Sequence, residues 1–105
     1  MVDKHNFNNK VVIVTGSAQG MGKAVAKKFG EYGAKIVIND ISENSLKLTE
    51  NEFVKSGFNV LALTGDVTQS GDVENIVNQT IKRYGQVDIL VNNAGVLKPT
   101  KVVEI

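Results

Sequence analysis

Four short runs of branched apolar residues recur along the chain: Val11–Val14, Ile36–Ile38, Val60–Leu63 and Ile89–Val91. Each is continuously apolar instead of alternating. Strands buried on both faces of a parallel sheet read this way, because neither face meets water. The stretches between them carry helical spacing. Met21, Ala24, Val25, Phe29 and Tyr32 form one expected apolar stripe, closed by Gly33 as a C-terminal stop. A second helix is expected to start from a Ser42 cap and run to about Gly57, with Leu46, Phe53 and Val54 facing inward. A third is expected from a Ser70 or Asp72 cap to Gly85, with Val73, Ile76, Val77, Thr80, Ile81 and Tyr84 on one side. The pattern is βαβαβαβ. With right-handed crossovers, it predicts an α/β fold: a Rossmann-like, doubly wound parallel sheet with helices on both faces and strand order 3-2-1-4. Ile89–Val91 would then lie at an edge, where an uncovered apolar strand invites pairing with other chains.

Composition removes several alternatives. The 105 residues contain no cysteine, which leaves neither a disulfide framework nor a thiolate metal site and fits a reducing cytoplasm, the expected location. A net charge of +1, with both signs spread along the chain, gives no nucleic-acid surface. No segment approaches the roughly 20 apolar residues of a membrane span. Residues 1–7 lack the hydrophobic centre of a signal peptide, so no membrane partner is expected. The composition is 42% hydrophobic and 22% charged, within the range of ordinary globular domains.

The residues suited to chemistry fall at the carboxyl ends of the four runs, where such sheets bind ligands. Thr15–Gly22 reads TGSAQGMG, a glycine-rich turn leading from a strand into a helix. Backbone N–H groups and the positive end of the helix dipole would there face a phosphate. Gly16 permits the turn, Gly20 lets backbone approach a pyrophosphate, and Gly22 permits close packing of the helix, while Ser17, Gln19 and Met21 complete the expected cofactor loop. The spacing is Gly-x-x-x-Gly-x-Gly, not the commoner Gly-x-Gly-x-x-Gly. Asp40, followed by Ile41, ends the second run. Its carboxylate can accept hydrogen bonds from ribose hydroxyls and would repel a 2′-phosphate. No Arg or Lys lies beside it, which favours NAD over NADP; helix capping is the other use of an acid there. Asp66-Val67 could meet an adenine amino group and supply an apolar wall, or could form an Asx-type turn. Asn92-Asn93-Ala94-Gly95 pairs two amides with two small residues, which suits close backbone approach to a ligand or a simple β-turn.

Together these four motifs resemble the short-chain dehydrogenase/reductase family over nearly the whole chain, from about Asn9 to Val96. Thr15-Gly16-x-x-x-Gly20-x-Gly22 is similar to its cofactor loop and Asn92-Asn93-Ala94-Gly95 to its second signature. Asp66-Val67 is similar to the adenine-contacting pair and Asp40 to the NAD-selecting acid. The resemblance implies that Asn93 and Gly95 lie beside the adenosine ribose and that Asn92 braces the sheet. It also implies a small alcohol or ketone substrate, hydride transfer to or from a nicotinamide, and assembly as a homo-dimer or tetramer.

Family members are usually much longer. The resemblance therefore implies that residues 1–105 are the N-terminal part of a single NAD(P)-binding domain whose catalytic half is absent from this chain. Catalysis in the family uses a Tyr with a Lys four residues later. Here Tyr32 is followed at that distance by Ile36, and Tyr84 by Asp88. His5, the one histidine, is expected to take no catalytic part. This chain alone is accordingly expected to be inactive. The alternatives are a non-catalytic dinucleotide-binding module and a small flavodoxin-like domain with an anion site.

Overall fold

The structure, a computed structural model, describes residues 6–93; His5, Ala94 and Gly95 lie outside them. The elements alternate as β1 (Val11–Val14), α1 (Gly20–Glu31), β2 (Lys35–Asp40), α2 (Glu43–Lys55), β3 (Val60–Thr64), α3 (Ser70–Tyr84) and β4 (Ile89–Val91). The four strands form one parallel sheet in the order β3-β2-β1-β4, as the sequence pattern predicts. β1 pairs on both sides, Val12 with Ile36 and with Ile89. β2 is longer than its apolar core: Lys35 and the polar pair Asn39-Asp40 extend it, and Asp40 stands opposite Thr64 of β3.

Side chains alternate across the sheet, so each central strand feeds both faces. Val12, Val14, Ile36 and Ile38 meet Ala26 and Phe29 of α1 and Leu46 and Phe53 of α2. Val11, Ile13 and Val37 meet Ile76 of α3, with Leu61, Leu63, Val87 and Leu90 around them. This is why the central runs show no alternation. Phe53 has no exposed surface, and burying a side chain of that size contributes about 3 kcal/mol.

The inward faces of the helices match expectation at Phe29, Leu46, Phe53, Ile76 and Thr80 and depart from it elsewhere. α1 turns Gly22, Ala26 and Phe29 to the sheet, while Met21 is 72% exposed and Ala24 also faces out. Close packing selects the smallest side chains at that contact, not the most hydrophobic. In α2, Thr49 is buried and Val54 is 58% exposed, because the Thr49 hydroxyl donates to the Ala18 carbonyl (2.6 Å). In α3, Ile76 and Thr80 are buried, while Val73 and Ile81 are exposed.

Stops and starts follow local chemistry. Gly33, Gly57 and Gly85 take positive φ just beyond the three helices. Ser42 caps α2 by accepting from the Ser45 N–H (3.4 Å). α3 corrects its expected cap: Gln69 occupies that position, Ser70 is already helical, and Asp72 instead accepts from the Asp66 N–H (2.9 Å).

Candidate functional site

β1 ends in a turn whose backbone is held from four directions. The Ser17 hydroxyl donates to the Val14 carbonyl (2.8 Å) and accepts from the Asn39 N–H (3.0 Å), while the Ser17 N–H donates to the Asn39 carbonyl (2.8 Å). The Ala18 N–H donates to Asp40 Oδ2 (3.1 Å), and the Ala18 carbonyl accepts from Thr49. The Gly16 carbonyl accepts from Asn93 Nδ2 (3.3 Å). Thr15 Oγ1 accepts from the Asn93 N–H (2.9 Å) and donates to Asn92 Oδ1 (3.0 Å). A turn fixed this way loses little further freedom on meeting a ligand.

Two glycine properties shape it. Gly16 and Gly20 have φ of 61° and 65°, the left-handed region that disfavours other residues. A Cβ on Gly22 would strike the Gly16 carbonyl oxygen and Asn93 Nδ2, so the close contact is with the turn itself. A Cβ on Gly20 would meet nothing within 4 Å, so that side of the loop is open.

Beyond the turn, α1 starts unguarded. Gln19 stands at its N-cap position without a side-chain cap bond, and among the described residues its first turn holds no acid. The first N–H groups of a helix have no intrahelical partner. Here they remain available to an anion, reinforced by the helix dipole.

A groove of about 380 Å³ opens beside this start. Gly16, Gln19 and Asn93 line one part, Asp40 and Ile41 another, and Gly65, Asp66, Val67 and Thr68 the far wall, with Asn39 between them. Residues from all four strand ends thus meet at one place. Asp40 spends Oδ2 on Ala18 and Oδ1 on the Ser42 N–H (3.2 Å). It braces the glycine turn as well as facing the groove. Asp66 Oδ1 accepts from the Thr68 hydroxyl (2.6 Å) and N–H (2.9 Å), an Asx-type turn. The Thr68 hydroxyl, then its N–H, hold the Asp66 carboxyl below the ordinary aspartate value, so it is charged at neutral pH.

Four of the described candidates do not line the groove: Ser17, Gly20, Met21 and Gly22. Ser17 is wholly buried, and its hydroxyl serves the turn instead of a ligand. Met21 projects into solvent from the first turn of α1, and Gly22 is packed against the turn. Ala94 and Gly95 fall outside the described residues. Asn39, Gly65 and Thr68 were not among the candidates from sequence. A signal existed for two of them. An amide closing a buried strand must find partners, and a threonine two residues after an aspartate is turn chemistry.

Neither tyrosine is near the groove. Tyr32 and Tyr84 end helices that run back to the amino edge of the sheet. Tyr84 donates there to Asn59 Oδ1 (2.7 Å), and burial pushes its phenol up. Among the described residues no three His, Asp or Glu side chains gather as a metal site requires, and no helix is long and apolar enough to cross a membrane.

The sequence is similar to those of curated proteins, and the fold occurs in solved structures. The chain is 47% identical over 89 residues to subunit BbsD of a hydroxy(phenyl)methylsuccinyl-CoA dehydrogenase from Thauera aromatica, covering 85% of this chain and 36% of that protein. It is 40% identical over 97 residues to a diacetyl reductase from Staphylococcus epidermidis, covering 92% and 38%. A short chain dehydrogenase/reductase from Burkholderia phymatum, solved in complex with NAD, superimposes with a TM-score of 0.83 at 32% identity, over 91% of this chain and 33% of that one. The chain therefore spans little more than a third of the length of the curated relatives it matches. The family described as short chain dehydrogenase matches residues 10–105, the glycine turn and all four strands included, and this chain belongs to it.

Proposed function

We propose that this chain holds the adenosine diphosphate part of NAD for an oxidoreductase that moves a hydride between nicotinamide and a small alcohol or ketone. The observation that carries the reading is the unguarded start of α1 beside a groove that all four strand ends supply. In the reading, the free N–H groups from Gln19 to Gly22 take the pyrophosphate. Asp40 takes the ribose hydroxyls, and Asp66 with Val67 takes the adenine. Asn93 joins them on the ribose side.

NAD is favoured over NADP by charge. The groove is lined by two aspartates and, among the described residues, by no lysine or arginine. A 2′-phosphate placed against Asp40 would meet like charge with no cation to offset it. When bound, the nicotinamide supplies the hydride chemistry; this chain's described residues bind and orient the other end. The relatives named above are a dehydrogenase subunit, a reductase and a dehydrogenase/reductase, which supports an enzyme over a binding-only module. Self-association of the whole protein as a dimer or tetramer is part of the proposal and rests on family alone.

Calorimetric titration tests it. NAD should bind at least about tenfold more tightly than NADP, the ratio produced by about 1.4 kcal/mol of charge repulsion. No heat with either dinucleotide, or equal affinity for both, would refute the reading.

A further inference from the structure

Asn39 is a polar side chain with 1% of its surface exposed, at the one point where β1, β2 and β3 all end. Its Nδ2 donates to two carbonyls on the neighbouring element, Leu63 O (3.0 Å) and Gly65 O (3.2 Å). Two carbonyl partners fix which way the amide points, since its oxygen could not replace the nitrogen there. The Asn39 main chain is meanwhile clamped to Ser17 through both its N–H and its carbonyl. The next residue repeats the pattern: the Asp40 carbonyl accepts from the Gly65 N–H (3.1 Å). Asn39, with Asp40 beside it, thus links the phosphate-side turn at Gly16–Ala18 to the adenine-side turn at Gly65–Thr68. Those turns are separate in sequence and share no direct hydrogen bond among the described residues.

We propose that Asn39 is a positioning residue for adenosine recognition: its amide sets where Asp66 and Val67 stand relative to the glycine turn. The inference rests on the dinucleotide reading above. A strand-end apolar residue would fill the same space but leave the Leu63 and Gly65 carbonyls unpaired and the far wall of the groove free to shift.

The test compares AMP, which spans both turns, with inorganic pyrophosphate, which needs only the first. In Asn39→Ala, AMP affinity should fall about tenfold, the effect of a lost buried hydrogen-bond pair, and pyrophosphate affinity should stay within about twofold. Equal losses for both ligands, or none for AMP, would overturn the inference. A second measurement uses the unaltered chain, in case the variant does not fold. The Asn39 side-chain amide resonances should exchange slowly with solvent and shift on saturation with AMP, but not with pyrophosphate. An Asn39 amide unmoved by saturating AMP would equally overturn it. If the unaltered chain binds pyrophosphate but neither AMP nor NAD, the dinucleotide reading itself fails, and that outcome is distinct from a failure of Asn39 alone.

Discussion

α1 and α2 both begin at the carboxyl edge of the sheet, and they finish their first turns in opposite ways. α2 is closed. Ser42 accepts from Ser45, and Glu43 places a negative charge at the positive end of the dipole. α1 has Gln19 at the same position with no cap bond and no acid behind it. The uncapped start gives up about 1 kcal/mol of helix stability that a Ser or Asp would contribute. The turn before it compensates with bonds from Ser17, Asp40, Thr49 and Asn93, all of which hold the loop without occupying the helix's own donors. The difference between the two helices separates a site from a structural terminus, and it is open to experiment.

The largest effect is expected at Gly22. Gly22→Ala drives a methyl into the Gly16 carbonyl and the Asn93 amide. It should cost about 3 kcal/mol of folding stability, at the upper end for an overpacked contact, and remove measurable NAD binding. Denaturant unfolding and calorimetry would check both; a well-folded variant with native affinity would break the account of the turn. Next is Asp40→Ala, which removes the groove carboxylate nearest the expected ribose. The NAD preference should fall by about tenfold. A dinucleotide ratio that stays constant would show that the acid serves only to brace Ala18 and Ser42.

Gln19→Asp makes α1 resemble α2. It should raise stability by about 0.5 kcal/mol or more through the new cap and lower NAD affinity about fivefold, because the carboxylate competes for the same donors. Tighter NAD binding in this variant would contradict the comparison. Ser42→Ala makes the reverse change at α2: a loss of about 1 kcal/mol in stability with NAD affinity unchanged. The smallest effect is that of pH. The folded-state carboxyls of Asp66 and Asp88 are depressed, the first by Thr68 and the second chiefly by the Val11 N–H. Their contribution is therefore complete above the ordinary aspartate value and is lost as pH falls through the lowered one. Thr68→Val should move the Asp66 titration back toward the ordinary value, read by NMR, while leaving Asp88 in place.

Topology was legible in the sequence because it depends on period. Four continuous apolar runs separated by helical spacing leave few arrangements, and β3-β2-β1-β4 is the one found. The glycine turn and Asp40 were legible because positive φ and an acid at a strand end each have few uses. Helix faces were read less well. Hydrophobic spacing counts Met21, which is exposed, whereas the glycine motif had already marked Gly22 for close packing, and Gly22 is pressed against the turn. Thr49 and Asn39 escaped for a related reason. Each is buried by a hydrogen bond to a partner far away in sequence, Ala18 in one case and Leu63 with Gly65 in the other. Local pattern signals at most that a buried strand-end amide needs partners, not which residues supply them.

An amide NMR titration with NAD puts the contrast between the two helix starts to the most direct test. If α1 is the phosphate site, the largest shifts fall on the N–H groups of Gln19, Gly20, Met21 and Gly22, and those of Glu43, Asn44 and Ser45 move little. Shifts centred on the start of α2, or spread evenly over both helices, would contradict the assignment of the open terminus as the cofactor's anchor.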